Sequence, residues 1–143
     1  MQTSAMKDPR YQMATVVTDE DLLQTIRERR PDKLFRMGKA LLERDRARDA
    51  ITALELAYQA SPTEPLYMSY LGLAAAMNRS PAHNPIKLCE TAARQEFFKA
   101  ELLNNLGRVY LMSGKRRKAY EAFRKGVEVD SNYFLNLECL QAM

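Results

Sequence analysis

Tryptophan is absent from this chain, histidine occurs once and cysteine only twice. Each shortage removes a class of function. One histidine and two thiols, Cys89 and Cys139, 50 residues apart, cannot assemble a tetrahedral zinc site. No metal and no other cofactor is expected. Two cysteines are too few for the disulfide framework of a small secreted domain. A reducing compartment, the cytoplasm, is therefore the expected location. His83 is the sole candidate for a histidine general base, and it falls in a stretch that reads as a solvated turn. Cys89 falls on an apolar helical offset, where a thiol acts as a small hydrophobe. Nothing catalytic is expected. Glycine and proline total 11 of 143 residues, which excludes a collagen-like or linker-rich chain. There is no glycine-rich phosphate loop. No apolar run approaches the roughly 20 residues of a membrane helix. Residues 1–17 lack the apolar core of a secretion signal and any periodic pattern, and read as a mobile segment. No membrane contact is expected.

What is present is a composition suited to one domain with a real core: 46% hydrophobic and 28% charged residues. The net charge of +4 is weaker than a dedicated nucleic-acid binder carries, so nucleic acid is not expected as the main partner. The chain also repeats itself. Gly38, Gly72 and Gly107 are spaced by 34 and 35 residues. Met37, Leu71 and Leu106 precede them, with Leu34, Met68 and Leu103 three residues earlier. Leu41, Ala75 and Tyr110 follow three residues later. This is one apolar helical face written three times. A second pattern follows each first one: Ala50, Leu54 and Ala57; Pro85, Cys89 and Ala92; Ala119, Phe123 and Gly126. The middle copy holds one extra residue between Asn78 and Asn84, which accounts for the spacing of 35.

The breakers place helices near 32–44, 47–60, 65–78, 85–97, 100–113 and 116–129. Asn84-Pro85 reads as an N-cap with a first-turn proline, and Gly114 as a left-handed C-terminal cap. Thr18, followed by Asp19, Glu20 and Asp21, opens a capping helix, with residues 18–30 covering the first repeat. Leu137 and Leu140 sit at the offsets of Leu103 and Leu106, one repeat on. Residues 134–143 thus read as a helix, either a cap or part of a fourth copy, packed on the third repeat through those leucines.

The repeat resembles the tetratricopeptide repeat, a helix-turn-helix unit of 34 residues with this glycine and a late proline. Pro62 fits the late proline; Phe97 and Ser131 replace it in the other copies. The resemblance covers 31–133 as three copies, 31–64, 65–99 and 100–133. It implies an all-α fold, a right-handed superhelix (an α-solenoid) with flanking helices at both ends. It also implies an adaptor or scaffold whose concave groove, lined by the first helices, holds a segment of another protein. By resemblance the groove residues are Phe35, Lys39, Ser69, Tyr70, Leu73, Met77, Asn104, Arg108 and Met112, with Leu42, Glu43, Ala76 and Leu111 beside them. One family subtype grips the acidic tail of heat-shock chaperones with a clamp of Lys, Asn and Arg. Its positions are held here by Phe35, Lys39, Tyr70, Glu101 and Asn105, none matching in type, and Glu101 would repel a carboxylate. That subtype is disfavoured.

A rival surface is the run Lys115, Arg116, Arg117 and Lys118 in the third turn. As a functional patch it suits an acidic partner or nucleic acid; as a plain one it keeps the turn solvated. Finally, a helix with no following partner leaves Phe134, Cys139 and Tyr133 partly open. Self-association through the C-terminal helix, most simply as a two-fold dimer, is the expected consequence.

Overall fold

A computed structural model describes residues 18–143; the segment 1–17, expected to be mobile, lies outside the described residues. Eight helices follow one another: α1 (Asp19–Glu28), α2 (Pro31–Glu43), α3 (Ala47–Ala60), α4 (Pro65–Met77), α5 (Pro85–Gln95), α6 (Ala100–Met112), α7 (Arg116–Val129) and α8 (Phe134–Ala142). Among the described residues there is no strand.

Local chemistry sets the boundaries. Thr18 and Asp21 form a reciprocal capping box at α1: each side chain takes the other residue's backbone N–H, at 3.1 and 3.0 Å. Pro31, Pro65 and Pro85 each open a helix where no N–H is needed. The Asn84 carboxamide accepts the Lys87 N–H at 3.1 Å. Each intra-repeat turn closes on a left-handed residue: Asp45, Arg79 and Gly114, with φ of 58, 49 and 76°. Only the third uses glycine, the residue without a penalty there.

Helices pair as α2–α3, α4–α5 and α6–α7, and the pairs stack in chain order. The first helices α2, α4 and α6 form an inner row, which α8 extends, and α3, α5 and α7 form the outer row. The conserved register of the glycines has a physical meaning. A Cβ at Gly38 would meet the Leu54 side chain, one at Gly72 Cys89, and one at Gly107 the Phe123 ring. Each repeat thus uses a glycine to let a residue of its second helix press into its first. Leu54, Cys89 and Phe123 are all fully buried there. The fold is an all-α solenoid of stacked helix pairs, as the repeat required.

The C-terminal helix departs from expectation. Leu137 does not pack as Leu103 does; it is 42% exposed. Its counterparts Leu34, Met68 and Leu103 are all buried. The inward face of α8 carries Asn136 instead, fully buried. Its Nδ2 donates to the Ala100 carbonyl at 3.0 Å, and its Oδ1 accepts from Asn104 at 3.2 Å. Gly126 makes room: a Cβ there would overlap the Asn136 carboxamide. Cys139, Leu140 and Met143 complete the contact with the core. At the place of the repeat glycine, 34 residues after Gly107, stands Gln141.

Candidate functional site

The inner row builds a hollow of about 380 Å³ on the concave face. Lys39, Leu42 and Glu43 of α2 form one side, Tyr70 and Leu73 of α4 the floor. From α6 come Glu101, Asn104, Asn105 and Arg108, and Tyr133 and Leu135 close the far end. The chemical centre is Glu101. Its carboxylate accepts from Lys39 Nζ at 3.1 Å and from the Tyr70 hydroxyl. Lys39 Nζ also lies 5.3 Å from the Tyr70 ring centroid, a cation–π distance. Phe35 packs edge-on against Tyr70, centroids 5.3 Å apart, and lies tilted by 32° against Tyr67 at 5.0 Å. Burial first, and then its bond to Glu101, raise the Tyr70 hydroxyl far above the ordinary tyrosine range. It stays a neutral donor. Burial and then the Glu101 charge push the Tyr133 hydroxyl up to about 12, with Arg108 acting the other way. Arg108 itself has no carboxylate partner among the described residues.

Of the groove candidates read from sequence, Lys39, Tyr70, Leu73, Asn104 and Arg108 come together around this hollow, as do Leu42 and Glu43. Phe35 stands behind Tyr70. Ser69 is fully buried; its hydroxyl takes the Asn105 amide at 3.0 Å, and its carbonyl the Cys89 thiol at 3.3 Å. It positions the wall and cannot touch a ligand. Asn104 is likewise tied to Asn136. Met77 is partly buried and Met112 exposed, both outside the hollow. Sequence reasoning missed Tyr133 and Leu135, which arrive with the turn into α8. It also missed the role of Glu101 as the partner of Lys39. Their separation of 62 residues leaves no periodic trace.

The cations of the basic turn are all exposed at the start of α7. Arg116 donates to the Met143 carbonyl at 2.8 Å, Arg117 faces Glu121 at 3.8 Å, and Lys118 Nζ lies 5.8 Å from the Tyr110 centroid. His83 is not a fully solvated turn residue. Its side chain is largely covered and its Nε2 lies 3.8 Å from Glu55 of α3. The two thiols differ sharply. Cys89 is sealed in the core, and burial pushes it up to about 12. Cys139 is only partly buried. Titration of the folded protein with a thiol reagent should therefore modify one thiol per chain, Cys139, with Cys89 reacting only in denaturant. Two equally fast thiols would contradict the packing at Gly72.

Comparisons with known proteins point the same way. Residues 100–133 match the family described as tetratricopeptide repeat. No curated protein matches the sequence. Among solved structures, the fold matches the NMR structure of the first TPR domain of the human RPAP3 protein. The match has a TM-score of 0.66 at 16% identity, covering 78% of this chain and 87% of that one. At that identity the likeness speaks for the fold alone. The tetratricopeptide fold generally serves as a protein-interaction module. A matching third copy, two more segments with the same glycine register, and a shared fold together make this chain similar to tetratricopeptide-repeat proteins.

Proposed function

We propose that the chain is a non-enzymatic adaptor that holds a segment of another protein across its concave face. The observation that carries this reading is the hollow itself: apolar Leu73 and Tyr70 at its floor, and a half-buried Arg108 with no carboxylate partner among the described residues. A half-buried cation without a carboxylate partner, at the edge of a hollow of mixed polarity, is suited to meet an anionic group of a ligand. Lys39 contributes differently, because Glu101 already engages it. The two cations are thus not equivalent. Reversing Lys39 would set two carboxylates side by side and disturb the fold, whereas reversing Arg108 tests the ligand. Arg108→Glu should lower partner capture from the native host by at least about tenfold, roughly 1.4 kcal/mol, with circular dichroism unchanged. Full capture by the folded variant would remove the groove reading. No helix among the described residues is long and apolar enough to cross a membrane, and the cytoplasm remains the proposed location.

Self-association is a second, separate reading. Phe134, Leu135 and Leu137 are 64, 47 and 42% exposed in one short helix. A second copy presenting the same apolar residues is a partner of matching chemistry. Sedimentation velocity should show a concentration-dependent dimer, and Phe134→Glu should return it to monomer. A monomer at every concentration would dispose of the dimer.

A further inference from the structure

The outer row carries a second concavity. Between α5 and α7 runs a channel of about 470 Å³ on the face opposite the groove. Leu103 and Leu106 of α6 form its floor, and Ala93 and Ala122 its lower walls. Small side chains on both outer helices leave a gap above this floor, although Leu103 and Leu106 are themselves largely buried. Beyond the end of α5 stand Phe97 and Phe98, stacked edge-on with centroids 5.7 Å apart. They are 60 and 58% exposed. Phe97 lines the channel. It occupies the place where the repeat carries a late proline, so the turn itself does not require an aromatic ring.

The rim is charged, and its charges are not balanced. Arg94, Lys118 and Lys125 are exposed along the channel. None has a carboxylate partner among the described residues. The two rim carboxylates are both engaged: Glu90 accepts the Tyr110 hydroxyl, and Glu121 faces Arg117 at 3.8 Å. The third repeat holds seven cations against four acids, three of the chain's net four positive charges.

We propose that this channel is a binding surface for an acidic protein segment, distinct from the concave groove. One large apolar side chain of the segment fills the floor beside Phe97, and its Asp or Glu residues pair with Arg94, Lys118 and Lys125. Large exposed aromatics with adjacent cations are the usual anchors of such surfaces. A nucleic acid fits less well. Its phosphates are continuous, and Glu90 and Glu121 interrupt the cations, whereas a peptide can place its charges around them.

The test is a random 12-residue peptide library selected on the intact wild-type chain. The selected pool should be enriched in Asp and Glu flanking Phe, Leu or Trp. Binding by fluorescence anisotropy should then fall at least tenfold in Phe97→Ser and in the Arg94→Glu, Lys118→Glu, Lys125→Glu variant. All four residues are exposed, so both variants should keep wild-type circular dichroism. Arg108→Glu should leave this binding unchanged, which separates the channel from the groove. A pool without acidic enrichment, or one indifferent to both variants, overturns the proposal. So does a 20-nucleotide single strand that competes the peptides away and outbinds them, which would make the channel a nucleic-acid surface.

Discussion

Gly72→Leu should lower the melting temperature by about 10 °C or more, as read by far-ultraviolet circular dichroism. On helix propensity alone the change is favourable by nearly 1 kcal/mol. Packing opposes it. A Cβ at this position would lie 2.7 Å from Cys89 Sγ, 3.0 Å from the Pro85 carbonyl and 3.1 Å from Leu88 Cβ. The carbonyl belongs to the backbone and Cys89 is fully buried, so neither can step aside cheaply. The remaining atoms of leucine have to enter the same contact. Overpacking costs about 1–3 kcal/mol and occasionally more, and the backbone obstacle places this site at the upper end. Gly72→Ala adds the Cβ alone and should fall between wild type and leucine. A leucine variant that melts at or above the wild-type temperature would mean that α4 and α5 do not touch at this glycine.

Asn136→Leu should release α8 from the third repeat, although leucine is the better match to the apolar neighbours. The substitution leaves the Ala100 carbonyl without the bond from Asn136 and leaves the Asn104 amide only its longer contact to Cys139 Sγ, at 3.5 Å. Each buried group stranded in this way costs about 1–3 kcal/mol. Leucine also carries its branch into the space that Gly126 leaves open. Hydrogen exchange across residues 134–142 should rise to the rate of an open segment, while α2 to α5 keep their protection. Asn136→Ala removes the crowding but not the stranded groups, and should lie between. Unchanged exchange in both variants would show that α8 is held by Leu140 and Met143 alone.

These two residues also mark where the sequence was readable. The glycine register, the offsets of Leu54, Cys89 and Phe123, and the caps at Thr18, Asn84 and Gly114 are local or periodic features. They survive projection onto one dimension. Asn136 did not. A polar residue on an apolar helix reads as solvent-facing until the carbonyl it satisfies is known, and Ala100 stands 36 residues away. Leu137 reads as core because its counterparts Leu34, Met68 and Leu103 are, yet in the structure it is 42% exposed, so the offset alone does not decide burial. In the groove, Leu73 and Arg108 were legible from their relation to the glycines. The pairing of Lys39 with Glu101 was not, because it joins repeats that are not neighbours in sequence. His83 reads as a solvated turn residue because its neighbour Glu55 lies in the preceding repeat, at no periodic offset from it.

The bond from Lys39 to Glu101 has a mechanical meaning. A solenoid bends at each junction independently, since each repeat touches only its neighbours. Lys39 belongs to the first copy and Glu101 to the third, so their bond spans two junctions and ties both bends to one curvature. The Lys39 side chain is 40% exposed, and a bridge of this kind is worth about 1 kcal/mol at most. It acts as a light clasp rather than a weld. A guest that draws Lys39 away from Glu101 would undo this tie, and each of the two junctions would then be free to straighten on its own.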